Sequence, residues 1–99
     1  MIRRIASSSA LLALLAGAGA ATEPDGAAIY ADHCAGCHAE SRLGGTGPAL
    51  IPESLGRLKG DKLAAVIADG RAMTQMPAFA DRLSAADIAA VTAHIGSPL

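Results

Sequence analysis

The residues of this 99-residue chain with the clearest chemical potential are Cys34, Cys37 and His38, in the run Cys34-Ala35-Gly36-Cys37-His38. Two thiols separated by two residues and followed at once by an imidazole have the attachment spacing of c-type haem. The thiols add to the two vinyl groups on one edge of the porphyrin, and the imidazole then meets the iron from one face. A cysteine pair can also be a structural disulfide, half of a zinc site or a thioredoxin-like redox pair. Beyond this run the chain has no cysteine and only two histidines, His33 and His94, so a four-ligand zinc centre is poorly supplied. A thioredoxin-like pair belongs in a βαβ setting, and no alternating strand pattern is present. One covalently bound haem c is therefore the expected cofactor, held through Cys34 and Cys37 with His38 as the proximal iron ligand.

A sixth iron ligand must come from elsewhere, and Met73, Met76, His33 and His94 are the candidates. Thr74-Gln75-Met76-Pro77 places Met76 in a non-helical loop whose backbone Pro77 stiffens, so Met76 is the expected ligand. Met73 lies closer to the end of the preceding helix. His33 directly precedes Cys34 and is expected to point away from the distal face. His94 falls in the last helix, where an amphipathic packing role with a wet tip fits it better.

These residues need elements to position them. Residues 1–21 read as a cleavable secretory signal: Arg3 and Arg4, then an apolar middle around Leu11, Leu12, Leu14 and Leu15, then Ala18-Gly19-Ala20. Cleavage after Ala20 or Ala21 is expected to leave a single domain over residues 22–99, outside the cytoplasm and without a stable membrane anchor. A retained anchor is the alternative, since the uncharged stretch from Ile5 to Thr22 is almost long enough to span. Asp25 can cap a helix from Gly26 to His33. Residues 43–52 carry three glycines and two prolines and read as a loop. Asp61 reads as the cap of a helix from Lys62 to Asp69, with Leu63, Val66 and Ile67 on one face and Gly70 at its end. Residues 71–82 read as irregular. Ser84 with Asp87 resembles a capping box, and Ile88, Val91 and Ile95 line one face of the final helix before Gly96 and Pro98. The class is all-α, with three main helices and long loops.

Composition makes the same point about a ligand. Hydrophobic residues are 52% of the chain, but there is one Phe, one Tyr and no Trp, and alanine dominates. So small a domain with so few bulky side chains requires a staple, and the loops are too long for a packed bundle unless a large group fills the middle. Basic and acidic side chains number 8 and 9, which excludes the strong basic excess of a nucleic-acid binder. Without Arg3 and Arg4, six basic residues face nine acidic ones, a formal balance of −3.

Across its mature region the chain resembles class I cytochromes c. The matching residues are Gly26, Ile29 and Tyr30, the Cys34–His38 run, Gly47-Pro48-Ala49-Leu50, Met76-Pro77 and the final helix. The resemblance implies that the first and last helices cross at Gly26 and Tyr30. It also implies that the Pro48 carbonyl accepts the proton of the proximal His38. His94 stands where that family often has an aromatic residue, a departure at the helix crossing. The wording Arg42-Leu43-Gly44-Gly45-Thr46-Gly47-Pro48-Ala49-Leu50 with Thr74-Gln75-Met76-Pro77-Ala78-Phe79 looks like the small monohaem cytochromes of the c55X type, which are associated with cytochrome cd1 nitrite reductase. The implied function is a periplasmic, monomeric carrier of single electrons in denitrification, without substrate turnover of its own. Its partners would be redox proteins, namely a cd1-type nitrite reductase and an upstream electron donor. An accessory role in d1-haem biogenesis or reductase maturation is the alternative, and a haem sensor with a labile sixth ligand is a third reading. Arg57, Lys59 and Lys62 read as a solvated face, Phe79 as packing near the distal loop, and Arg71 and Arg82 as flanks of the Met76 loop.

Overall fold

The computed structural model describes residues 23–99; the signal read at residues 1–21 lies outside them. Among the described residues there are five helices and no strand. Helix α1 (Gly26–His33) starts where the sequence says it must: the Asp25 carboxylate accepts from the backbone N–H groups of Ala27 and Ala28 at 3.0 and 3.2 Å. A single turn, α2 (Ala35–His38), follows almost without a break and carries the second thiol and the imidazole. It stops at Ala39, whose φ of 73° no helix can continue.

Two expectations need correction. Pro52, expected in the loop, opens a further single turn, α3 (Pro52–Leu55), because its ring presets the helical φ and its missing N–H is not needed in a first turn. Asp61 is the first residue of α4 (Asp61–Asp69) and not its cap. Gly60, at φ 59°, turns the chain into the helix with no side-chain cap, and Asp61 contributes only its charge to the positive end of the helix dipole. Helix α5 (Ala85–Ile95) has both halves of the expected capping box: Ser84 Oγ accepts from Asp87 N–H, and the Asp87 carboxylate accepts from Ser84 N–H, each at 3.0 Å.

α5 packs against both α1 and α4. A Cβ built on Gly26 would overlap the carbonyl oxygen of Ala90, so only glycine allows α1 and α5 to cross this closely. Tyr30 and His94 stack beside that crossing, ring centroids 5.5 Å apart and tilted by 55°. His94 thus fills the aromatic place at the crossing with its own ring, half-buried as its amphipathic reading requires. Val91 and Ile95 are fully enclosed, and Tyr30, Leu63, Ile67, Phe79, Leu83 and Ile88 complete a core that touches one side of a large cavity. No helix among the described residues is long and apolar enough to cross a membrane.

Candidate cofactor site

A cavity of about 470 Å³ opens between the α1–α2 corner, α4 and the two long loops. Cys34, Cys37 and His38 all border it, as do Leu50, Leu63, Val66, Ile67 and Phe79. Its volume lies in the range of small-molecule and cofactor sites, and its walls are mostly apolar. Both cysteines are free thiols. Burial pushes the Cys34 thiol above its ordinary pKa, so it stays neutral. That is unlike the thiolate a thioredoxin-like nucleophile needs. Among the described residues no group of three or more His, Cys, Asp or Glu side chains is arranged to hold a metal, which leaves the zinc reading without its ligands.

The glycine-rich loop is folded back onto the motif that precedes it. Gly44 N–H donates to the His38 carbonyl at 3.0 Å and Gly47 N–H to the Cys37 carbonyl at 2.8 Å. This brings the Pro48 carbonyl to 2.7 Å from His38 Nδ1. A carbonyl only accepts, so Nδ1 carries the proton and Nε2 is the nitrogen left for a metal. His38 is 8% exposed, and Gly47 lies flat on its ring: a Cβ there would stand 2.7 Å from Cε1 and 2.8 Å from Nδ1. The imidazole is held at its edge by the Pro48 carbonyl and at its face by Gly47.

The four candidates for a sixth ligand separate in space. Met76 is half-buried and borders the cavity, whereas Met73 projects wholly into solvent at 102% exposure and does not. His94 is committed to Tyr30. His33 also borders the cavity while remaining exposed; its ring packs edge-on against Phe79, centroids 6.0 Å apart, an aromatic contact the sequence spacing does not signal. Arg71 and Arg82 border the cavity too, Arg82 lying 4.6 Å over the Phe79 ring, while Arg57, Lys59 and Lys62 are exposed.

The Met76 loop is strapped to α4. Phe79 N–H donates to the Ile67 carbonyl and Ala80 N–H to that of Ala68, at 3.0 and 3.1 Å. Thr74 Oγ1 accepts from Met76 N–H at 3.1 Å while donating to the Arg71 carbonyl at 2.8 Å. Gly70, at φ 70°, makes the return possible, because a Cβ there would stand 2.7 Å from the Pro77 carbonyl carbon and 2.8 Å from Met76 O. Gly70→Ala is therefore expected to push Met76 out of place while leaving the helices intact. The strained φ alone costs about 1–2 kcal/mol, or roughly 4–16 °C in Tm for a domain of this size. Circular dichroism, thermal melts and the ferric near-infrared spectrum of the haem-loaded protein check this.

The donor set fits a covalently held haem: two thiols and an oriented imidazole border an apolar cavity that Met76 also borders. The family described as "Cytochrome C oxidase, cbb3-type, subunit III" matches residues 21–95. Dihydro-heme d1 dehydrogenase of Pseudomonas aeruginosa is 49% identical over 85 residues, which are 86% of this chain but 17% of that protein. Cytochrome c55X of the same organism is 43% identical over 54 residues, 54% of this chain and 45% of the relative. The chain thus spans less than half the length of either relative. Among solved structures, the c-type cytochrome NirC superposes with a TM-score of 0.60 at 28% identity, covering 92% of this chain and 100% of that one.

Proposed function

This chain belongs to the c-type cytochrome family that matches it over residues 21–95, and from that premise we propose that it is an exported monohaem carrier of single electrons. Its fold is that of the class I cytochromes c, and electron transfer is what such domains do. In this reading Cys34 and Cys37 would hold the macrocycle, and His38 Nε2 and the Met76 thioether would be the iron's protein ligands. The observation that carries it is the His38 Nδ1–Pro48 bond of 2.7 Å, which leaves Nε2 as the free nitrogen of a ring that borders the same cavity as Met76.

When bound, haem c supplies a one-electron couple. The chain's residues determine how that couple behaves. His38, donating through Nδ1 to Pro48, becomes a better electron donor at Nε2. Leu50, Leu63, Val66 and Ile67 exclude water and disfavour the more charged oxidised state, and thioether ligation acts in the same direction. With His38 and Met76 both engaged, no position is open for a substrate, so turnover must occur on a partner. The likeness to cytochrome c55X, and to a protein named for d1 haem, supports a periplasmic place in denitrification, with a cd1-type nitrite reductase as acceptor and an upstream donor. The 49% identity to a dihydro-haem d1 dehydrogenase favours one second reading, electron transfer during d1-haem biogenesis.

The test is to mix the reduced protein with nitrite alone, with nitrite plus a cd1-type reductase, and with a dihydro-haem d1 dehydrogenase. Reoxidation is expected only when a protein partner is present. Fast reoxidation by nitrite alone would sink the carrier reading, and exchange with the dehydrogenase but not the reductase would move the function to biogenesis. The formal charge of −3 over residues 22–99 steers toward a basic partner surface, so raising salt from about 10 to 150 mM, where the screening length falls from roughly 30 to 8 Å, should slow association.

A further inference from the structure

In the sequence Arg42 is only one residue of a loop pattern, yet in the fold it is 5% exposed, a rare state for a charged side chain. Its Nη2 donates to the carbonyls of Ile95 at 2.7 Å and Ser97 at 2.6 Å, and its Nε donates to the Leu50 carbonyl at 3.0 Å. Every one of these acceptors is a neutral carbonyl, and no carboxylate among the described residues shares the guanidinium. The positive charge is therefore solvated by dipoles and not cancelled. Two of its acceptors lie where such a charge is most welcome, at the C-terminal end of α5, where carbonyls are left without helical partners and the helix dipole is negative.

Its position ties this charge to the cofactor site. The Arg42 carbonyl also accepts from Leu50 N–H at 2.9 Å, so Arg42 grips Leu50 from both its backbone and its side chain. That double link closes the 42–50 loop, which holds Gly47 against the His38 ring and Pro48 on its Nδ1. Leu50 and Ile95, both bonded to the guanidinium through their carbonyls, border the cavity with their own atoms, so the charge lies directly behind the cavity wall. It is also felt nearby. Burial raises the pKa of the Tyr30 phenol, with Cys34 adding to the rise, and Arg42 opposes both. Arg42 further adopts a φ of 67°, a strained conformation for a non-glycine residue that the surrounding bonds must hold.

We propose that Arg42 is a positioning and charge residue of the electron-transfer site: its uncompensated buried charge favours the reduced iron, while its three bonds fix the loop that orients His38. The inference rests on the haem reading above. Low dielectric strengthens the effect, because a buried charge is poorly screened by water or salt.

The experiment compares the haem-loaded parent with Arg42→Gln, Arg42→Lys, Ser97→Asp and Ser97→Ala by spectroelectrochemistry and thermal melts. Covalent haem in each is first quantified by its pyridine haemochrome spectrum. Arg42→Gln should lower the reduction potential and Tm together. Arg42→Lys, which keeps a charge but loses the fork, should lower Tm while holding the potential nearer that of the parent. Ser97→Asp adds a carboxylate at the residue whose carbonyl the guanidinium bonds. It also loses the Ser97 Oγ bond to the His94 carbonyl and meets the negative end of the helix dipole, so Ser97→Ala is its control. Both should lose Tm, and only Ser97→Asp should lower the potential. It remains informative even where the Gln variant fails to load. Unchanged potentials in Ser97→Asp and in any loaded Arg42→Gln protein would overturn the proposal and leave Arg42 a purely structural clamp. A parent without covalent haem would overturn the functional reading instead, a result distinct from either.

Discussion

Replacing Cys34 and Cys37 together with alanine is expected to yield a chain without covalent haem and without a cooperative thermal transition. The substitutions themselves are small: Cys34 is buried but compact, and Cys37 is exposed. What the variant loses is the occupant of a cavity of about 470 Å³. Apolar walls without an occupant lose their packing contacts, and with the cavity open to water that loss is on the order of several kcal/mol. Small domains have only about 5–15 kcal/mol of stability in total. Nothing in the core can collapse to compensate, since Phe79 and Tyr30 are the only large rings and both are already buried. Far-UV circular dichroism and calorimetry of the purified variant check this. A cooperative melt with native helix content in the haem-free protein would refute the view that the cofactor forms the missing part of the core.

Met76→Ala should remove the weak near-infrared band expected of thioether-ligated ferric iron, lower the reduction potential and let carbon monoxide bind the reduced protein. Loss of a half-buried side chain should lower stability by roughly 1–3 kcal/mol, toward the low end of the cost of truncating fully buried methionines. Met73→Ala should leave spectrum, potential and carbon monoxide response unchanged and alter stability by no more than about 0.5 kcal/mol, because Met73 is wholly exposed. The pair is a strict comparison, since the two thioethers lie three residues apart in the same loop. The opposite pattern would transfer the ligand role to Met73 and require the loop to turn over. Loss of the band in neither variant would remove methionine from the iron altogether.

Much of this architecture is legible in the sequence because its signals are short. The Asp25 cap, the Ser84–Asp87 capping box and the stop at Gly70 all act within three or four residues, and the helices begin and end there. The thiol–imidazole run is legible for the same reason, its spacing being what the proposed covalent attachment requires. The Pro48 carbonyl came from family resemblance, and the structure places it at 2.7 Å from His38. Short-range signals also mislead where two neighbouring residues compete to start a helix. Asp61 has the right type for a cap, but Gly60 beside it turns the chain and leaves Asp61 inside the helix.

What only the tertiary structure decided are the contacts between segments far apart in sequence. Gly70 reads as an ordinary helix stop until the 76–78 backbone is seen lying against it. His33 reads as turned away from the distal face, and nothing in its spacing signals that Phe79 lies beside its exposed ring. The burial of Arg42 gave no signal, because its acceptors Ile95 and Ser97 lie 53 and 55 residues away and are backbone carbonyls, which every residue type carries. A donor that bonds backbone leaves no complementary side chain in the sequence to betray the pairing. Folding alone, by laying the end of α5 over the loop behind His38, turned a surface-type residue into a buried charge beside the cofactor site.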